Sequence, residues 1–314
     1  MGNFLFSVNA TMPVFFVMML GVLFRRIGLI DEAFASGMNR FVFKIALPVS
    51  LFTQLCDVDF REVWDTGYVV FCFGITLLSV LVAVALSFVF RDKEVRGEFV
   101  QGSFRSSASL LGMTYIENIY GEATLGSLMM LGCVPLYNVM AVLVLSLMRP
   151  GSEGVDRKRL KAALKGIVTN PIIWGILLGF AWGMIGITLP NMVMKTTGYI
   201  GRLASPMGLL AMGAQLNFHS LGEKLPPVFL GTFMKLIGFT ALFIPHAVFL
   251  GFRGEKLLAV LIMLGSASTV AGYIMAKNMG HEGTVSAGCV VLSTLLSSLT
   301  LTIWIWILRF QGLI

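Results

Sequence analysis

Seven stretches of this chain contain no Asp, Glu, Lys or Arg: residues 1–24, 66–90, 123–148, 166–194, 203–222, 257–276 and 283–308. Each is long enough to cross a hydrocarbon core about 30 Å thick as a helix of about 20 residues. Nothing constrains the fold more, because a backbone in lipid must satisfy its hydrogen bonds internally. Three further apolar segments carry embedded charges: 35–55 with Arg40 and Lys44, 98–120 with Arg105 and Glu117 inside it, and 225–252 with Lys235. Together they predict ten spans, numbered first to tenth along the chain, and an all-α integral membrane protein.

Composition excludes the competing classes. Of 314 residues, 57% are hydrophobic and 12% charged, where soluble domains carry roughly 25% charged residues. The same apolar excess excludes disordered and collagen-like chains, and 4 Cys are too few for a disulfide scaffold. Cys72, Cys133 and Cys289 sit inside apolar windows and Cys56 lies at a membrane edge, none with zinc-ligand spacing. They read as small buried hydrophobes. No basic region precedes the first apolar stretch, so it reads as a span and not as a removable signal peptide.

Basic residues sort by side. Loops 25–34, 91–98 and 149–165 concentrate 11 of the 23: Arg25, Arg26, Arg91, Lys93, Arg96, Arg149, Arg157, Lys158, Arg159, Lys161 and Lys165. The alternate loops are acidic or mixed, as at Asp57, Asp59, Arg61, Glu62 and Asp65. By the positive-inside rule the basic loops face the cytoplasm and both termini lie outside a plasma membrane. The net charge of +7 thus reports topology, and no soluble domain offers a nucleic-acid surface.

An internal repeat organises the chain. Pro13 and Pro171, Leu20 and Leu178, Gly21 and Gly179, Ile27 and Ile185, Gly28 and Gly186, and Pro48 and Pro206 all lie 158 residues apart. One residue later in register, Ser107-Ala108-Ser109 matches Ser266-Ala267-Ser268, and Gly121 matches Gly280. Five spans per half is an odd number, so the second copy enters the membrane from the opposite face. The repeat is therefore inverted, with halves 1–148 and 166–314 joined by a cytoplasmic linker at 149–165. Inverted repeats are a signature of secondary transporters, whose substrate sites lie near the midplane where helices are discontinuous.

Helix breaks are expected at two kinds of place. Pro48 and Pro206 stand mid-span in the second and seventh spans, where proline removes an intrahelical hydrogen bond and clashes four residues back. The fourth and ninth spans instead carry small hydroxyl residues and glycines, in Arg105–Thr114 and Gly265–Gly272. Small residues permit close crossing of helices, and exposed half-helix N-termini would attract an anion.

These segments resemble a known family. MNRFVFKIALPVSLF (38–52), LLGMTYIENIYG (110–121), PLYNVMAV (135–142), NPIIWGILLG (170–179), SPMGLLAMGAQL (205–216) and Ala276-Lys277 followed by Gly280 look like the auxin efflux carrier (AEC, PIN-like) family, in its bacterial branch. The resemblance implies a scaffold and a transport domain, crossing broken helices in the fourth and ninth spans, and elevator-type alternating access. It also implies transport of small organic anions, such as mono- or dicarboxylates or auxin-like acids. A homodimer through the first, second, sixth and seventh spans is one implied arrangement; lipid over the same faces is the other. The family's asparagine, glycine and crossing proline of the fourth span fall at Ser107, Gly112 and Thr114, and the ninth-span proline falls at Gly272 or Ala267, so both crossing prolines are absent.

The substrate is therefore expected where the fourth and ninth spans cross, lined by Ser107, Gly112, Thr114, Ser266, Ser268 and Gly272. Arg105 either binds its carboxylate or snorkels to the interface. Lys277 is a candidate for gating or proton linkage, with interface anchoring as the simpler role, and Glu117 reads as an interfacial carboxylate. Arg40 and Lys44 read as the inner end of the second span; Lys235 has no nameable partner. No span contains an aspartate, and His219, His246 and His281 are isolated, so neither a sodium–proton antiporter, an intramembrane enzyme, a cofactor nor a metal site is expected. A receptor without transport and a proton-coupled antiporter remain as alternatives.

Overall fold

The computed structural model describes residues 2–56, 65–108, 113–121, 124–149 and 157–314, and every element in them is helical. The first half runs α1 (Gly2–Arg26), α2 (Glu32–Phe41), a π-helical turn (Val42–Ala46), α3 (Leu47–Cys56), α4 (Thr66–Ser87), α5 (Glu94–Phe104), α6 (Met113–Tyr120) and α7 (Thr124–Leu147). After α8 (Arg157–Thr169) come α9 (Pro171–Ile185), α10 (Asn191–Arg202), α11 (Ala204–Ala214), α12 (Phe218–Glu223), α13 (Leu225–Phe233), a second π turn (Met234–Gly238), α14 (Phe239–Phe249), α15 (Gly254–Gly265), α16 (Val270–Asn278) and α17 (Thr284–Phe310). Thr66–Ser87, Leu125–Leu147, Leu225–Phe249 and Thr284–Phe310 are long and apolar enough to cross a membrane, and α15 with α16 forms a fifth candidate bent by 42°.

Local signals set the helix ends. The Asn170 side chain accepts the Ile172 N–H at 2.9 Å and Pro171 opens α9, the residue pair best suited to a helix start. The same helix stops at Gly186, whose φ of 75° only glycine adopts without strain. Gly28, 158 residues earlier and just beyond α1, has φ 78°; Gly121 and Gly280 have φ 87° and 86°.

Close packing follows the same offset. Helix α1 lies on α11, and α9 lies on α3. A Cβ at Gly21 would collide with the carbonyl oxygen of Leu210, and one at Gly179 with that of Phe52. Residues 52 and 210 are also 158 apart, so the two contacts exchange partners. Around these helices the surface is apolar: Phe73, Leu78 and Leu81 on α4 and Trp174, Leu177 and Leu178 on α9 are exposed. Such side chains suit a lipid solvent. Helices α5, α15 and α16 are interior, with Leu257–Gly265 and Val270–Ala276 fully buried.

Three expectations are adjusted. The uncharged window 203–222 takes in α11 and most of α12 but leaves out α10, just before it, which carries Lys195 and Arg202; a charge-free criterion discards a helix with exposed basic residues. The segment 149–165 is part helix, since α8 starts at Arg157 and runs to Thr169. The breaks at Pro48 and Pro206 lie before the prolines. The ring nitrogen of Pro48 cannot serve the carbonyl of Lys44, inside the π turn, and that of Pro206 cannot serve Arg202, where α10 ends.

Candidate functional site

The interior helices α5 and α15 both stop short inside the structure. Helix α5 gives way at Arg105 (φ −78°, ψ 130°) and α15 at Ser266 (φ −77°, ψ 164°), so both exits are in extended backbone. A helix end leaves its last carbonyls without partners, and here each exit serves the other helix. The Ser106 hydroxyl donates to the Met263 carbonyl at 2.5 Å, and the Ser268 hydroxyl donates to the Gly102 carbonyl at 2.6 Å. Between them the Ser107 N–H donates to the Ala267 carbonyl at 2.9 Å. The two breaks are thus stitched by backbone and hydroxyl groups, without any proline. Beyond the second break Thr269 caps α16 through the Ala271 N–H.

A narrow cleft, partly open to solvent, lies against this crossing. Arg105, Ser106, Ser107 and Thr269 form its crossing wall, Ser50 and Gln54 reach it from α3, Tyr137 and Asn138 from α7, and Ser205 from α11. A smaller space adjoins it, sharing Ser107, Ser205 and Thr269 and including Ser268. Among the described residues Arg105 is the only charged one in either wall, and it is 5% exposed. Its Nη2 donates to Asn138 Oδ1 at 2.8 Å and its Nη1 to the soft sulfur of Met275 at 3.1 Å, while Nε has no hydrogen-bond partner among the described residues. No Asp or Glu among the described residues pairs with it. A guanidinium offers five donors in a rigid fork that matches a carboxylate, so this arginine holds unused donor capacity at the edge of a cleft.

Residues 6–305 match the family model described as membrane transport protein. The chain belongs to that family. It is the auxin efflux carrier, PIN-like family whose motifs the sequence resembles. The chain is also similar to an uncharacterized transporter of Methanothermobacter thermautotrophicus, at 24% identity over 307 residues that cover 96% of this chain and 98% of the relative. This membrane transport protein is thus a multi-pass transporter, and its cleft is where a substrate site is sought.

Within the family member the anticipated residues separate. Ser107 and Arg105 line the main cleft, Ser268 only the smaller space. Ser266 is fully buried behind the wall and donates to Ser106 at 3.2 Å. At Gly272 a Cβ would meet Arg105 Cδ at an ordinary 3.6 Å, so the glycine backs the arginine and does not face the cleft. Gly112 lies outside the described residues; Thr114 falls in α6. Pro48 and Pro206 sit in α3 and α11, the helices that bound the cleft on the far side. Lys277 is half-buried at the end of α16 and lines neither space, and Glu117 is exposed on α6.

Sequence reasoning missed Ser50, Gln54, Asn138, Ser205 and Thr269. The signal existed for Gln54 and Asn138: single amides inside apolar windows are costly in lipid and turn toward the protein interior or a wet cavity. Glu98 was also missed. Its carboxylate is buried and accepts the N–H groups of Gly283 at 2.7 Å and Ser286 at 3.0 Å, capping the N-terminus of α17.

Proposed function

We propose that this protein is a secondary carrier that moves small organic anions, mono- or dicarboxylates or auxin-like acids, across the plasma membrane by elevator-type alternating access. The observation that carries the reading is Arg105: a buried guanidinium with an unpartnered Nε and no described acidic partner, facing a cleft at the crossing of two broken helices. A substrate carboxylate supplies the missing countercharge. Hydroxyls and amides from Ser50, Gln54, Ser107, Asn138 and Thr269 orient it, and the small residues Ser266, Ser268 and Gly272 keep the crossing narrow enough to close around it.

The architecture in this reading is ten spans in two inverted repeats, 1–148 and 166–314, with 149–165 in the cytoplasm and both termini outside. Its support is the exchange of partners between Gly21–Leu210 and Gly179–Phe52 and the matched left-handed glycines at 28 and 186 and at 121 and 280. Helices α1–α3 and α9–α11 form the scaffold, alone or as a homodimer, and the remaining spans carry the substrate past it. Lys277, at the cytoplasmic end of α16, lies where it would sense gating without touching substrate.

Purified protein in proteoliposomes, preloaded with one organic anion and offered labelled mono- and dicarboxylates, tests this. Saturable uptake of at least one carboxylate is expected. Binding without flux would mark a receptor, and flux that follows an imposed pH gradient with no organic anion present would mark a proton antiporter.

A further inference from the structure

Lys235 takes no part in the cleft, yet it is 1% exposed and sits at the back of the same crossing. It lies in the π turn Met234–Gly238, where one extra residue in the helix re-aims the side chains around it. Its Nζ donates to Ser106 Oγ at 2.5 Å and to the Leu264 carbonyl at 2.6 Å, with the Met263 carbonyl at 3.3 Å. Ser106 accepts from Lys235 and from Ser266 and gives its own proton to Met263, so its hydrogen-bonding capacity is fully used.

Two features of this cluster stand out. Every partner of the ammonium is a neutral oxygen, and no Asp or Glu among the described residues pairs with it. The carbonyls belong to the last turn of α15, the negative end of a half-helix whose partners were lost when the helix broke at Ser266. A hydroxyl with two carbonyls at a half-helix C-terminus resembles the oxygen set with which transporters hold an alkali cation. In this chain a covalently attached ammonium stands among them.

We propose that Lys235 is a tethered cation occupying a site of the kind a free alkali cation would fill, and that it frees the crossing from dependence on such an ion. This deepens the carrier reading by assigning its cation requirement. A tethered amine does not leave with an ion gradient, so the space behind Arg105 stays filled whether or not sodium is abundant outside. A buried lysine is thus retained without a carboxylate, because the half-helix end supplies the compensating partial charge.

The test is thermal unfolding of purified wild type, Lys235→Ala and Lys235→Met in sodium, potassium and N-methylglucamine chloride at equal ionic strength. Wild type is expected to melt at one temperature in all three. Lys235→Ala opens the oxygen cluster, and its midpoint is expected to rise saturably with sodium or potassium, as binding to the folded state requires. Lys235→Met fills the same space with an apolar stem and is expected to melt lower, without a cation response. A Lys235→Ala midpoint as indifferent to alkali cations as wild type overturns the proposal, and so does a wild type stabilised by sodium. Failure of both variants to fold equally in all three salts also overturns it, since a free cation is expected to rescue Lys235→Ala. No organic anion enters these measurements, so their outcome is separate from that of the uptake assay.

Discussion

After Phe104 the chain leaves its helix through Arg105, and after Gly265 it leaves through Ser266, both in extended backbone. The hydroxyl of Ser106 caps a carbonyl of α15, and the hydroxyl of Ser268 caps one of α5. In this the two breaks mirror each other. They differ in charge: the first presents a guanidinium to the cleft, while the second presents carbonyls to the ammonium of Lys235 behind it. A crossing can therefore keep its geometry under symmetric hydroxyl caps while its two sides diverge in chemistry, one toward ligand recognition and one toward internal compensation.

The hardest way to break this comparison is at the caps. Ser268→Leu removes the donor to Gly102 and forces an apolar branch into a fully packed crossing. Overpacking and an uncapped buried carbonyl act together there. Transport is expected to fall to background, and the midpoint of thermal unfolding in detergent to drop as well. Normal flux from this variant would mean that the crossing is a packing surface and the substrate path lies elsewhere.

A milder pair of changes sharpens the symmetry. Gly21→Ala and Gly179→Ala each place a Cβ against a backbone carbonyl, of Leu210 and of Phe52. Each should cost about 1–3 kcal/mol, seen as matching drops in melting temperature. A drop in one half only would separate the two helix pairs.

The smallest effect lies at the membrane edge. The Lys256 ammonium and the Tyr68 N–H beside Asp65 hold its half-exposed carboxyl below the usual carboxylate range. A depressed value contributes stability above about pH 4, the unfolded range, and that contribution is lost as pH falls through the folded value. Asp65→Asn is therefore expected to lower stability at pH 7 by well under about 1 kcal/mol, with the difference from wild type vanishing in acid. A difference that persists unchanged at pH 2 would assign the loss to the helix cap alone.

Much of this molecule was legible in the sequence because lipid leaves few options. The apolar windows located most of the helices, and Gly21 and Gly179, matched at the offset of 158, sit at two contacts that trade partners. The serine clusters were placed at a crossing for the same reason, being small and paired. What stayed hidden was side-chain direction within the break. Spacing rules hold along a helix, but once the backbone is extended at Arg105 and Ser266 the helical period no longer says which hydroxyl faces a cleft. Hence Ser106, not singled out, became the hub of the crossing, while Ser266 fell behind it. The partners of Lys235 were illegible too, because carbonyl groups freed by a break carry no sequence signature.

The most direct test of the account compares the initial uptake of a transported carboxylate by wild type, Arg105→Gln and Arg105→Lys in proteoliposomes of equal protein content. Loss of a buried charge that pairs with substrate costs about 2–5 kcal/mol, so Arg105→Gln should lose on the order of 100-fold in kcat/KM. Arg105→Lys should recover part of it, since it restores the charge but not the bidentate fork. An Arg105→Gln carrier with unchanged apparent affinity and rate would contradict the account.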